Sequence, residues 1–248
     1  MIKFFRKIRQ NLLSEGKTGK YLKYAIGEIV LVIVGIIIAL QINNWNQDRL
    51  AQNRIESRLM NLISDVENEV EEMDEVKESN KLRIIVIKGI LKKNGKLKSI
   101  GWPDSISGQV AIDTIRNPNR ILSILQTFDG NRPTYNELIN SGEFYTIRNE
   151  TLKRKIQKYY GSIDELRDAE RWNNQEMSLK IRSSKERLGI GAFSKVNLDE
   201  LAEMAKNDKQ FGAELETEIN LDFTQKRNLE ALKQEALNLI ETIKSEIK

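Results

Sequence analysis

The chain has 248 residues, of which 40 are Lys or Arg and 36 are Asp or Glu, so its formal net charge is +4. It contains no cysteine and no histidine, which excludes disulfides, thiolate nucleophiles, imidazole bases and the thiolate or imidazole ligands of many metal sites. Glycine and proline are scarce and 31% of the residues are charged, a composition that favours long helices over a turn-rich β fold.

The positive charge is confined to the N-terminal part of the chain. Residues 1–45 carry seven bases and two acids, whereas the remaining residues carry 33 bases and 34 acids. Because a nucleic-acid-binding domain needs a basic face on its folded body, we expect no nucleic-acid partner. Residues 1–20 are predicted to be a basic cytoplasmic arm. The stripe of Phe5, Ile8 and Leu12 is typical of an amphipathic helix on an anionic leaflet, and a plain topogenic tail is the compatible alternative.

Residues 21–45 are predicted to form a transmembrane helix. Ile29 to Leu40 contains no polar side chain, and 25 helical residues extend roughly 37 Å, enough to cross a hydrocarbon core of about 30 Å. Tyr21, Tyr24 and Trp45 are the expected aromatic anchors at the two interfaces. The alternatives are a buried core helix, which would need other strongly apolar segments around it, and a cleavable signal peptide, which would need small residues before the cut. The sequence favours an uncleaved signal anchor.

The distribution of bases predicts the orientation of this anchor. Seven Lys or Arg residues precede it, and only Arg49, Arg54 and Arg58 follow within about 15 residues. The positive-inside rule therefore places the N-terminus in the cytoplasm and residues 46–248 outside it.

One polar residue, Glu28, interrupts the predicted span. At 100° per residue, Gly35 and Ala39 lie within about 20° of it on the helix, and this pair of small residues allows close approach of a second helix. An ionised carboxylate costs about 2.5–3.5 kcal/mol at the bilayer centre. We therefore expect Glu28 to be protonated, to snorkel toward Lys20 and Lys23, or to be hydrogen-bonded to another helix; an ion pathway would require oligomerisation. We predict that Glu28, Gly35 and Ala39 contact another transmembrane helix, of a second copy or of another membrane protein.

The residues after Trp45 show apolar spacings of three and four, which predict one long amphipathic helix over residues 46–94, continuous with the span. Glu69 and Asn80 occupy two positions of the apolar stripe. Gly95 is the expected C-cap. The acidic run over residues 67–78 lacks the turn-forming glycine of a calcium loop, so we interpret it as a solvated helix face.

The rest of the chain also reads as helical. Residues 95–133 are broken by glycine and proline and predict short helices. A short helix beginning at Pro133 is expected to have Thr134 as its N-cap, with Glu137 completing a capping box, and to end at Gly142. Asn149 is expected to start a second long helix, whose apolar stripe includes Trp172.

Two further helices are predicted, a short one from Asn197 to Ala205 and a long one from about Asp208 to the C-terminus. Three long amphipathic helices with short connectors indicate an all-α protein: one N-terminal transmembrane helix continuing into a long amphipathic helix, followed by an elongated antiparallel helical bundle. Because the stripes are narrow and flanked by Glu and Lys, coiled-coil oligomerisation is the open alternative to packing within the chain.

Two stretches resemble an uncharacterised family of single-pass bacterial membrane proteins. The first is the N-terminal MIKFFRKIRQNLL followed by KYAIGEIVLVIVGIIIALQINNWN (residues 23–46), and the second is PTYNELINSGEFYTIRNETLKRKIQKYY (residues 133–160). In the second, a short capped helix leads through Ser-Gly into a helix that ends in Tyr-Tyr. The resemblance implies an inner-membrane anchor with an extracytoplasmic helical domain, and it implies no activity and no functional residue.

No catalytic motif or cofactor-binding pattern is recognisable in the sequence. Gly189 and Gly191 follow a predicted helix rather than a strand, so they do not indicate a phosphate-binding loop. We therefore expect a non-enzymatic, single-pass membrane protein without a cofactor, whose partners are the lipid bilayer and itself or another membrane protein. The alternative is a signal-input protein that transmits a helix shift across the membrane, and an enzyme with a pocket of Asp, Glu, Lys or Tyr groups is a third class.

Overall fold

A computed structural model of the chain describes residues 18–96, 115–123, 126–191 and 194–247, apart from the side chains of Thr18, Lys20, Tyr21, Tyr24, Asn174 and Ser178. Within these ranges the secondary structure is entirely helical, which confirms the predicted all-α class. The helices are α1 (Thr18–Lys93), α2 (Pro118–Ser123), α3 (Pro133–Ser141), a 3-10 helix (Glu143–Thr146), α4 (Glu150–Arg187), α5 (Leu198–Asn207) and α6 (Lys209–Glu246).

The internal contacts divide the chain into two units between Ser57 and Arg58, within α1. In the first unit every side chain from Ile29 to Leu50 is exposed. Among the described residues, α1 contains the one stretch long and apolar enough to cross a membrane, and it begins at Ala25. Exposed apolar side chains in an uninterrupted run are unfavourable in water, which agrees with the predicted membrane anchor.

Three predictions fall outside what the structure describes. The amphipathic arm of residues 1–13 lies outside the described residues, as does most of the segment 95–133 that was expected to form short helices. The aromatic side chains of Tyr21 and Tyr24, the predicted anchors at one interface, also lie outside it. These three points stay predictions.

In the second unit, polar contacts join α4 to α6 near one end and to the residue before α6 near the other. The side chains of Lys155 and Lys158 in α4 donate to Thr242 and Glu235 in α6, each at 2.7 Å. Near the other end of both helices Arg187 donates to Asp208, the residue before α6, at 2.7 Å.

The apolar core of this unit includes residues from α1, α2, α5 and α6. Leu91, Leu201 and Phe211 are fully buried in one cluster. The short helix α5 lies close to the start of α6, where a Cβ added to Gly212 would come within 2.7 Å of the carbonyl oxygen of Ala205. Glycine at this position therefore permits the close approach of the two helices.

The predicted helix ends are largely confirmed, because the expected polar side chains satisfy the free backbone amides there. Asn149 accepts hydrogen bonds from the amides of Thr151 and Leu152 at the start of α4. Asn197 and Glu200 form a capping box at the start of α5. Gly142 closes α3 in the left-handed conformation, with a φ of 75°.

Three predictions about single side chains are wrong. Thr134 does not cap α3: the N-cap is Arg132, without a side-chain cap bond, and the amide of Thr134 is satisfied by Asp65 instead. Trp172 is 70% exposed and does not belong to the buried stripe of α4. Glu69 is 2% exposed and so does not belong to the solvated acidic face.

Candidate functional site

The predicted membrane contact face lies in the first unit. Gly35 and Ala39 are exposed on α1 and Glu28 is half-buried. A Cβ added to Gly35 would meet no atom within 4 Å, and the same is true of Gly27. This face of α1 has room for a second helix, and the helix–helix contact itself stays a prediction.

Trp45, the expected anchor at the second interface, is 65% exposed. The guanidinium carbon of Arg49 lies 5.6 Å from the centroid of its indole ring, within the range of a cation–π contact. Arg49 also donates to Asn46 at 3.4 Å. An aromatic ring joined to a cation is a side-chain pair suited to a lipid headgroup region.

In the second unit a carboxyl group is buried against two tyrosines. The hydroxyl of Tyr159 donates to Glu69 at 2.6 Å, and the ring of Tyr160 stacks on Tyr135 with centroids 4.1 Å apart. Burial raises the pKa of Glu69 to about 8, although the hydrogen bond from Tyr159 acts in the opposite direction. Glu69 is therefore largely neutral near pH 7, which is the form that a buried carboxyl prefers.

The segment before α3 is held by three carboxylates that accept backbone hydrogen bonds. Glu170 accepts from the amide of Phe128 at 3.1 Å, Glu72 from that of Asp129 at 2.7 Å, and Asp65 from that of Thr134 at 3.0 Å. These residues belong to α1 and α4, so the segment is fixed to both helices. Such contacts satisfy backbone groups that have no helical partner.

This segment also contains a position that only glycine fits. Gly130 has a φ of 60°, and a Cβ there would come within 2.8 Å of the side chain of Ile163. The adjacent Arg132 forms an ion pair with Asp164, one bond of which measures 2.9 Å.

A second polar chain crosses the core from α1 to α4 through α6. Asn80 donates to Gln225, and Gln225 donates to Glu170 at 2.7 Å. Burial raises the pKa of Glu170, while its hydrogen bonds from Gln225 and Phe128 act in the opposite direction. The sequence pattern had placed Asn80 in the apolar stripe, and this contact explains how a buried amide is tolerated there.

A buried ion-pair cluster joins Arg83 of α1 to two carboxylates of α6. Arg83 contacts Glu218, and its Nε lies 3.4 Å from Asp222. All three side chains are at most 5% exposed. Burial raises the pKa of Asp222 to about 6, with Arg83 acting in the opposite direction. Removal of one partner would leave an uncompensated charge, which is strongly destabilising.

Glu218 and Asp222 also line a small cavity of about 30 Å³ between α4 and α6. A cavity of this size holds one or two water molecules. Because it is this small and its lining includes carboxylates and amides beside Leu166, Ala169 and Leu221, we interpret it as a hydration site and not as a pocket for an organic ligand.

A buried lysine lies at the C-terminal end of α4. Lys185 is 5% exposed, and its Nζ donates to the hydroxyl of Ser123 and to the carbonyl oxygen of Asn119, at 2.5 Å and 3.4 Å. Burial lowers its pKa to about 8. Serine–lysine pairs occur in some hydrolases. Here, however, the hydroxyl of Ser123 donates to Asn119 at 2.9 Å, so the amine serves as a cap on the last turn of α2.

The largest of the described pockets is a surface groove of about 630 Å³. Its polar lining residues include Arg167, Arg171 and Gln175 of α4 and Asp129 of the segment before α3. Leu179 lies at one end of the groove and is 63% exposed. The groove is open and mixed in charge, which is more typical of a protein-contact surface than of a catalytic pocket.

Sequence reasoning missed the ion-pair cluster and the buried lysine. Arg83 lies three residues after Asn80 and Glu218 lies three residues after Leu215, so helical spacing places both beside the predicted apolar stripes. That spacing was the signal for buried charge. Lys185 gave the same signal, because it lies four residues after Ile181 and three before Leu188. Its partners could not be identified, because they come from α2, more than 60 residues away in the chain.

Comparison of the chain with family models, with curated proteins and with solved structures finds no match. The resemblance to a family of single-pass membrane proteins therefore stays a prediction. No group of three or more Asp or Glu residues arranged to hold a metal ion is found among the described residues.

Proposed function

We propose that the protein is a non-enzymatic, single-pass membrane protein whose extracytoplasmic helical unit makes protein–protein contacts. One observation carries this proposal: the stretch from Ile29 to Leu40 in α1, whose side chains are all exposed. A run of apolar side chains as long as a bilayer core is stable when lipid surrounds it. In this proposal the N-terminus is cytoplasmic and residues 46–248 are periplasmic.

The finer architecture belongs to the same proposal. We infer an elongated antiparallel bundle in which α6 runs opposite to both α1 and α4. For α4 and α6, the support is the order of their contacts given above. For α1 and α6, it is the ion pair of Glu67 with Lys244 at 3.2 Å and that of Asp74 with Lys233 at 2.7 Å. In such a bundle the polar outer faces remain free for partners.

Membrane fractionation tests the anchor. The full-length protein is expected to stay with the membranes after extraction at high pH and to dissolve only in detergent, because about 12 buried apolar residues hold it in lipid. Recovery of the protein in the soluble fraction without detergent would overturn the proposal.

The contact face in the membrane is tested by Gly35→Leu. A leucine side chain there would keep a second helix at a distance, so self-association of α1 in a membrane dimerisation assay should fall several-fold. Gly27→Leu is the matched control, because Gly27 is equally open but lies about 100° from Glu28 on the helix. Equal association of both variants and the unmodified helix would show that Glu28, Gly35 and Ala39 are not a contact face.

A signal-input role is the second candidate. The observation that favours it is the continuity of α1, which is a single helix from Thr18 to Lys93. A partner bound to residues 1–20 whose activity changes with the state of the periplasmic unit would favour this role over a static scaffold.

A further inference from the structure

One exposed face of α4 combines the residue types that dominate protein interfaces. Trp172 and Leu179 are 70% and 63% exposed, and their spacing of seven residues places them within about 20° of each other on the helix. Arg167, Arg171 and Leu179 line the groove of about 630 Å³. Counted from Arg167 at 100° per residue, Arg171 lies at about 40°, Leu179 at about 120° and Trp172 at about 140°, so the four residues occupy one broad side of α4. Tryptophan and arginine are enriched among the residues that contribute most to binding energy. We call these four residues the basic face of α4.

The charge that α4 presents to this groove is positive. Glu170 also lines the groove, but it is 6% exposed and its two oxygens accept hydrogen bonds from Phe128 and Gln225. Arg171 is 68% exposed, and it forms a long ion pair of 3.7 Å with Asp168. An acidic surface is therefore the complementary partner.

This chain itself carries such a surface on α1. Glu71, Glu75, Glu78 and Leu82 are all exposed. Their spacings of four, three and four residues place them within about 60° of one another on the helix. The result is an acidic row that ends in an apolar side chain, here called the acidic face of α1. Its own intrahelical contact is the pair of Glu78 with Lys81 at 3.2 Å.

The two faces lie at the same level of the helical unit. Tyr159 of α4 contacts Glu69 of α1 directly, and Glu170 of α4 is joined to Asn80 of α1 through Gln225. Both pairs have the same separation in sequence, 90 residues. Each residue in this part of α4 is therefore level with the residue of α1 that lies 90 positions earlier.

With this offset, an apolar side chain of α4 lies at the height of an apolar side chain of α1, and a basic one lies near the height of an acidic one. Trp172 is level with Leu82, and Arg167 is within one residue, or about 1.5 Å along the axis, of the level of Glu78. Two copies anchored in one bilayer and related by an axis along the membrane normal keep every residue at its own height. Lateral contact between the two faces then needs no vertical shift.

We propose that the basic face of α4 is the docking site for a second copy of this chain, which presents its acidic face of α1. The inference rests on the proposed function, because the shared bilayer sets the common height. The contact joins two different faces, so it is heterologous and each copy can be bound on both sides. Contacts of this kind give rings when the rotation closes and open rows when it does not.

Disulfide crosslinking tests the proposal in native membranes, because the chain has no cysteine of its own. One tagged copy carries Leu82→Cys and a differently tagged copy carries Trp172→Cys. Mild oxidation is expected to produce a crosslinked heterodimer. The control replaces Leu82→Cys by Leu237→Cys, a residue of α6 with nearly the same exposure, 40% against 38%. Its yield should be at least five-fold lower.

Charge reversal is the second test of the docking site, with the same crosslinking yield as its readout. Arg171→Glu in the copy with Trp172→Cys should lower the yield several-fold, and Glu78→Arg in the other copy should restore part of it. Both side chains are well exposed, so neither change should affect folding, which circular dichroism checks.

Equal yields for the two cysteine pairs, or no effect of Arg171→Glu, would overturn the docking site. Retention of the protein in membranes after high-pH extraction would still support the anchor. Loss of the protein from membranes would instead overturn the proposed function, so the two failures are distinguishable.

Discussion

At the scale of single residues, the helical unit is distinguished by ionisable groups in its core. Glu69, Glu170 and Asp222 all have a pKa raised by burial. An acid whose pKa is higher in the folded than in the unfolded state takes up a proton on folding. The stability that it contributes is complete below the unfolded pKa and is lost as the pH rises toward the folded pKa.

Glu69 provides the clearest prediction of this kind. Its pKa rises from 4.5 to about 8, so the full-length protein in detergent should lose stability between pH 5 and pH 8. Glu69→Gln removes the titrating group and should flatten this dependence, with a gain on the order of 2 kcal/mol or more at pH 8. Thermal unfolding followed by circular dichroism at several pH values measures both effects.

Tyr159→Phe is the control for this experiment. It removes the hydrogen bond to Glu69 but keeps the carboxyl group, so the pH dependence should persist. A wild-type protein whose melting temperature is constant between pH 5 and pH 8 would contradict the assignment of a raised pKa.

At the scale of helices, the N-caps show how much of the fold the sequence could predict. Asn149, Asn197 and Asp208 mark the predicted helix starts, and in the structure each is the N-cap, because its side chain needs only amides from the next turn. Thr134 shows the same local pattern, but it is not the N-cap of α3. Its amide is bound by Asp65, which lies 69 residues earlier, and no local pattern contains that contact.

The capping box of α5 can be tested by substitution. Asn197→Ala removes the acceptor for the amide of Glu200 and should lower the free energy of unfolding by about 1 kcal/mol. Asn197→Asp keeps an acceptor of the same length and should cost little. Denaturant unfolding of the two full-length variants compares them. Equal stabilities would show that the cap is dispensable.

The buried polar residues show which features of the candidate site the sequence can predict and which it cannot. Asn80 and Glu69 were recognisable as polar residues in an apolar stripe, but their partners Gln225 and Tyr159 were not. The apolar stripe predicted Trp172 to be buried, yet it is exposed. Periodicity identifies the faces of a helix, whereas which faces find a neighbour depends on the packing of distant segments.

At the scale of the whole molecule, the proposal predicts a defined orientation. Tyr145 is 68% exposed, so Tyr145→Cys in this cysteine-free chain should react with a membrane-impermeant maleimide added outside the inner membrane. Lys7→Cys, in the N-terminal arm, should react only after the inner membrane is opened. Labelling of Lys7→Cys in intact spheroplasts together with protection of Tyr145→Cys would reverse the proposed topology.

The buried hydrogen bonds that join α1 to α4 and α6 restrict how α1 could transmit a mechanical signal. A shift of α1 by one residue in its contacts with α4 and α6 is a screw motion of about 1.5 Å along the helix axis and about 100° around it. Such a step would separate Tyr159 from Glu69 and Asn80 from Gln225, and it would leave buried polar atoms without partners at a cost of about 1–3 kcal/mol each. A change of register of α1 inside the helical unit is thus opposed by its own hydrogen bonds, which favour a joint movement of α1, α4 and α6 in response to any stimulus.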